Sequence, residues 1–219
     1  MRYDGTTARR VTLSLALAGA AMLAFGCRSE SSATYVSNGL VDGWKVRVGE
    51  PAPEFSLVSI YADKVRLSEM KGKVVIVNFF ATWCIPCRGE IAEMNQVLFP
   101  AIKDDPRIEL LTVSVEELRD PVARFAQEGR CEWPFLLDTR GETYDKYAQA
   151  GLPRLVVIDI VGNIVALHEG YKPGSIPDLL AHARSLADRA SEAPVTDPAD
   201  RPVPPKPEAS TARADEKSA

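Results

Sequence analysis

Seven apolar-rich residues, Val74-Val75-Ile76-Val77-Asn78-Phe79-Phe80, run almost directly into Trp83-Cys84-Ile85-Pro86-Cys87. The run reads as a buried strand, and two cysteines three positions apart can close a disulfide across the first turn of a helix. A helix that begins at the pair aims unpaired backbone N–H groups and the positive end of its dipole at Cys84. That field favours thiolate over thiol, and the thiolate is the nucleophile in disulfide exchange. A strand, a tight corner and a helix are thus predicted together with a chemistry.

Two blander uses of the pair compete with redox chemistry. A zinc site needs two further ligands, and Cys27, Cys131, His168 and His182 are all distant and lack ligand spacing. A purely structural disulfide would close a very short loop and constrain the unfolded chain little. Redox chemistry is the reading retained. With two histidines in 219 residues there is little material for a histidine-based site, and a net charge of −4 gives no reason to expect nucleic acid.

Residues 1–27 read as an export signal rather than as part of the fold. Arg9-Arg10 precede the apolar stretch Val11 to Phe25, which ends at Gly26-Cys27 and is too short for a comfortable membrane span. Cys27 stands where bacterial lipoproteins carry their lipidated cysteine, and Ala24-Phe25-Gly26-Cys27 matches the lipobox in part. Lipid attachment at Cys27 is the preferred reading; an uncleaved anchor and a cleaved soluble form are the alternatives. Residues 28–45 read as a flexible tether and 46–190 as one domain. Residues 191–219, with Pro202-Val203-Pro204-Pro205-Lys206-Pro207 and almost no large apolar side chain, read as a disordered tail. Cys131, beside Trp133-Pro134-Phe135, is left over and reads as a buried structural thiol, a second redox role being the alternative.

Inside the domain, strand and helix patterns alternate. A small hairpin is expected from Phe55–Val58 and Val65–Leu67, then the strand Val74–Phe80. A helix from about Cys87 should close near Pro100 or Lys103, followed by a strand Ile108–Val115. Asp120-Pro121 has the form of a helix cap and first turn. Further on come a short strand Phe135–Leu137, a short helix 141–148, strands Leu155–Ile160 and Ile164–Leu167 around Gly162-Asn163, and a helix Ser175–Asp188. This order makes an α/β fold with a mixed sheet covered on both faces.

The order of elements, with the cysteine pair at the end of the first long strand, resembles the thioredoxin-like fold. In detail the chain from about Val48 to Asp188 resembles the exported TlpA/ResA-like thiol–disulfide oxidoreductases, with an N-terminal β-hairpin extension. The resemblance rests on Val48-Gly49-Glu50-Pro51-Ala52-Pro53-Glu54-Phe55 (a segment peroxiredoxins share), Leu67-Ser68-Glu69-Met70-Lys71-Gly72-Lys73, the cysteine motif, Gly151-Leu152-Pro153 and Val157-Ile158-Asp159.

Cys84, first in the pair and nearest the helix end, is expected to be the attacking cysteine, and Cys87, one turn deeper, the resolving one. The resemblance adds further expectations. Pro153 follows a cis peptide bond, leaving backbone groups of Leu152 to pair with an extended substrate. Glu90, one helical turn after Cys87, modulates the cysteines or relays a proton, an exposed first-turn glutamate being the alternative. Trp83 shields the site and offers a contact surface, with core packing as its alternative. Ile85 and Pro86 tune the redox balance and lie on the substrate side. Arg154 stands where threonine is common, and is expected either to lower the Cys84 pKa or to select an acidic partner surface. No cofactor beyond the Cys84–Cys87 disulfide is implied, and no metal. The implied partners are disulfide-bearing exported proteins, apocytochrome c among them, and a membrane thiol–disulfide electron donor. The implied place is the periplasmic face of a bacterial membrane, held by lipid or an N-terminal anchor. A dithiol oxidase or isomerase, a thiol peroxidase and a thiol-based metal-binding module are the competing functions.

Overall fold

The computed structural model describes residues 43–192. The expectations for the export signal, Cys27, most of the tether and nearly all of the tail lie outside the described residues. Seven strands form one sheet in the order β2-β1-β5-β4-β3-β6-β7. They are β1 (Ser56–Ser59), β2 (Lys64–Arg66), β3 (Val74–Phe80), β4 (Ile108–Val115), β5 (Phe135–Asp138), β6 (Arg154–Ile158) and β7 (Ile164–Glu169). β3 pairs parallel with β4 and antiparallel with β6, and β4 pairs parallel with β5. The β1–β2 hairpin adds antiparallel to β5. This is the mixed, thioredoxin-like sheet with its hairpin extension.

β3 is buried along its whole length, so its side chains sort by parity onto two apolar layers. Val74, Ile76 and Phe80 join one layer with Ile91, Met94, Leu98, Val122, Ile176 and Leu179. Val75, Val77 and Phe79 join the other with Trp44, Phe55, Leu67, Tyr144 and Tyr147. The first layer is covered by α1 (Ile85–Glu93), α2 (Phe99–Ile102), α3 (Arg119–Glu128) and α5 (Ile176–Glu192). The second is covered by the chain leading into β1, a 3₁₀ turn at Leu67–Met70 and the single turn α4 (Tyr144–Tyr147).

α1 and α2 are joined by a π-helical stretch, Met94–Leu98, in which the Phe99 N–H reaches the Met94 carbonyl five residues back. Pro100 explains the irregularity. It has no N–H and its ring clashes with a carbonyl one turn back in a regular helix, and a widened turn ahead of it removes that conflict. The helical path therefore continues past Pro100 to Ile102.

Three expectations are corrected. Asp120 is not a cap: α3 starts at Arg119 with Leu118 at the cap position and no side-chain cap bond. The last helix extends to Glu192, beyond the expected 188 and the domain limit at 190. The boundary at 45/46 is also too late, because Trp44 is only 2% exposed and is bridged to Ala148. The Lys45 N–H bonds the Tyr147 carbonyl at 2.8 Å, and the Gln149 N–H bonds the Gly43 carbonyl at 2.7 Å. Among the described residues, no helix is long and apolar enough to cross a membrane.

Candidate active site

Cys84 caps α1 and is joined to Cys87 by a disulfide, with the Cα atoms 5.3 Å apart. The Cys84 backbone is extended, as a cap requires, and its Sγ accepts the Cys87 N–H at 3.3 Å. Pro86 lies within the first turn, where its missing N–H costs no intrahelical bond. Cys84 is 5% exposed and Cys87 is fully buried, so one sulfur borders solvent and the other lies a turn deeper. Trp83 at 72% and Ile85 at 81% stand out into solvent on either side of Cys84. The core-packing alternative for Trp83 is thereby removed, and Pro86 is exposed with them.

The loop before the pair is tied down from the segment that follows β4. Glu117 accepts the Thr82 N–H at 2.8 Å with one carboxylate oxygen and the Thr82 hydroxyl with the other. Across the sheet, β6 runs antiparallel to β3 with Phe79 opposite Arg154. Continuing that register sets Pro153 level with Phe80, at the strand end from which the Cys84 loop departs. The Leu152–Pro153 peptide is cis, as the resemblance implied. The Tyr144 hydroxyl donates to the Gly151 carbonyl at 2.5 Å and braces this loop from behind. Pro153 is buried and Leu152 half-buried.

Glu90 is 4% exposed and lies on the same face of α1 as Cys87. The exposed-glutamate alternative therefore falls. Asn78 of β3 donates Nδ2–H to Glu90 Oε2 at 2.5 Å. Burial pushes the Glu90 carboxyl up to about 8; the Asn78 hydrogen bond opposes this, and the charge of Glu93 adds to it. Nearby, the Tyr171 hydroxyl donates to Glu93 at 2.7 Å, and the Tyr171 ring lies over Gly89. A Cβ at residue 89 would meet that ring at 2.9 Å, so any larger residue here would have to displace Tyr171.

Arg154 is a correction. Parity along β6 sends Leu155 and Val157 to the cysteine-bearing layer and Val156 and Ile158 to the opposite one. Arg154 follows the second set. It is 2% exposed, stacks over the Trp44 ring at 4.6 Å, donates to the Ala150 carbonyl at 2.8 Å and pairs with Glu169 at 3.2 Å. A Cβ at Gly43, where φ is +83°, would lie 2.7 Å from its Nη2. The residue is a strut between the cis-proline loop and the start of the domain, on the far side of the sheet from the disulfide, and offers no charge to a partner surface.

Cys131 is a free, buried thiol whose pKa burial pushes up to about 11. Among the described residues there is no group of three or more metal-ligating side chains. The sequence reading did not single out Asn78, Glu117 or Tyr171. Asn78 alone carried a signal, an amide inside a strand that must be wholly buried, because such a group needs a partner.

The chain matches the AhpC/TSA family over residues 48–167. It is 33% identical over 137 residues to the thiol–disulfide oxidoreductase ResA of Geobacillus kaustophilus, covering 63% of this chain and 78% of that protein. Among solved structures it is similar to a candidate protein disulfide isomerase from Bacteroides thetaiotaomicron, with a TM-score of 0.65 and 31% identity over 68% of this chain and 96% of the other. A candidate thiol:disulfide interchange protein DsbE from Chlorobium tepidum gives 0.60 and 27% over 65% and 99%. With a cysteine pair closed at the head of a helix in a thioredoxin-like sheet, this chain belongs to the AhpC/TSA family and is an enzyme of the ResA-like thiol–disulfide oxidoreductases within it.

Proposed function

We propose that this enzyme works outside the cytoplasm, tethered to a membrane, as a reductase of protein disulfides. The observation that carries the mechanism is the asymmetry of the pair: Cys84 borders solvent at a helix N-terminus between exposed Trp83 and Ile85, and Cys87 lies buried one turn on beside Glu90. In the reduced enzyme, the Cys84 thiolate attacks a client disulfide. One client sulfur leaves as thiolate and a mixed disulfide forms. Cys87 then passes its proton to the Glu90 carboxylate and attacks Cys84 Sγ. The second client thiolate is released, and the Cys84–Cys87 disulfide remains. Two electrons have moved from the pair to the client, whose thiolates take protons from water. Trp83, Ile85, Pro86 and the Leu152 backbone form the client-facing rim, with cis-Pro153 fixing its shape.

Apocytochrome c is the client proposed from the resemblance, and a membrane thiol–disulfide transporter is the electron source, since the compartment itself is oxidising. Arg9-Arg10, the apolar stretch after them and Cys27 support export and a lipid tether. Loss of labelled fatty acid from the Cys27→Ser protein, with the wild type labelled, tests the tether.

Two measurements test the chemistry. Cys87→Ser should accumulate mixed disulfides with clients and Cys84→Ser should abolish exchange; a Cys84→Ser protein that remains active would overturn the assignment. The reduction potential of the pair in the full-length protein decides direction. A value near about −270 mV supports a reductase, and one near about −120 mV makes the protein a disulfide donor.

A further inference from the structure

Asn78 and Glu90 form a buried pair with one loose end. Asn78 is fully buried, its Nδ2 is spent on Glu90 Oε2 at 2.5 Å, and its Oδ1 is buried with no hydrogen-bond partner. A buried carbonyl oxygen without a donor is costly. The cost has a use if the atom beside it changes between acceptor and donor, as a carboxyl does when it takes up a proton.

We propose that Asn78 is the positioning residue for Glu90: its amide holds the carboxyl one turn from Cys87 in both protonation states, donating from Nδ2 to the carboxylate and, on turning, accepting at Oδ1 from the acid. This rests on the reading of Glu90 as the proton partner of Cys87. When Cys87 gives up its proton, the Glu90 carboxylate becomes the acid, its new O–H points at Oδ1, and one hydrogen bond joins the two side chains at either end of the transfer. The other groups facing the pair are fixed. Glu93 on the same helix is held by the Tyr171 hydroxyl and the Gly174 N–H of the loop between β7 and α5. Neither Glu93 nor Tyr171 hydrogen-bonds Glu90, so the amide is the group that orients it.

The test uses the full-length protein in detergent. In the oxidised wild type, carbon-13 resonances of Glu90 Cδ and Asn78 Cγ are followed against pH. Both should move with one midpoint, near pH 8, as Oδ1 gains and loses its donor; an Asn78 Cγ that stays flat while Glu90 titrates overturns the proposal. The rate at which Cys87 resolves a mixed disulfide with a small peptide is then measured in N78L, E90Q and the double variant. Each single change should slow it by about tenfold or more, and the double should be no slower than E90Q, because Asn78 acts through Glu90. Losses that multiply would mean that Asn78 only supports the core. If E90Q resolves at the wild-type rate, the proton role of Glu90 fails and Asn78's role with it, while the assignment of the cysteines stands. Should N78L fold poorly, the wild-type titration decides alone.

Discussion

Glu90 gives this enzyme a pH dependence of stability with a defined sign. In the folded oxidised protein its carboxyl stays neutral up to about pH 8, against an ordinary value of 4.5. Between those values the folded state holds a proton that the unfolded chain has lost. The stabilising contribution is fully present below about pH 4.5 and disappears as pH rises through 8, with a slope approaching about 1.4 kcal/mol per pH unit. Chemical denaturation between about pH 5 and pH 8 should show this decline, and Glu90→Gln should remove it; an unchanged slope in the variant would place the linkage elsewhere. Cys131 offers the opposite case. Its thiol is buried and held above its ordinary pKa, so thiolate is scarce at neutral pH. Cys131→Ala should leave client exchange unchanged and cost about 1 kcal/mol or less in a denaturant melt. A measurable fall in exchange would revive a redox role for it. The sequence carried Cys84, Cys87 and Glu90 as candidates because spacing along one helix is local information. It did not reveal the partner of Glu90, which sits on a strand twelve residues earlier and meets it only when α1 packs on β3.

At the scale of elements, strand parity explains the one candidate whose expected place was wrong. Arg154 follows Pro153 in sequence, yet consecutive strand residues face opposite layers, and the guanidinium ends among Trp44, Ala150 and Glu169. Arg154→Leu should therefore cost roughly 3 kcal/mol of stability, in the range for breaking a buried charged network. The alkylation rate of reduced Cys84 in the folded protein should change by less than about twofold, since no change in its field is expected. A large shift in that rate would restore the cation to the site. The Thr82–Glu117 clamp belongs to the same scale. Two hydrogen bonds to Glu117, in the segment after β4, hold the chain just before Trp83, so Glu117→Ala should lower stability by about 1–3 kcal/mol. It should also slow client exchange in folded protein, and a melt beside single-turnover kinetics separates the two effects.

For the molecule as a whole, Trp44 shows how far the domain reaches beyond what composition suggests. It lies in a stretch read as tether, yet it is buried against Arg154 and its neighbours pair with Tyr147 and Gln149. Trp44→Ala should cost about 3–5 kcal/mol, as for other large buried side chains, and a melt unchanged by it would return the boundary to residue 46. The strand–corner–helix unit around Cys84 was readable because its signals are local: an apolar run of strand length, two cysteines at helical spacing, and a proline where a helix begins. The mixed sheet was readable because short turns and crossovers leave few ways to order such elements. Pro100 was read only as one of two places where the helix could close; the chain absorbs it in a π turn and continues to Ile102. By itself the sequence determined the elements, their order and the redox pair, since these depend on neighbours within a few residues. Only the tertiary structure decided which distant side chains meet: Asn78 with Glu90, Thr82 with Glu117, and Arg154 with Trp44. Those pairings depend on sheet parity and helix docking, which bring together residues separated by 12, 35 and 110 positions.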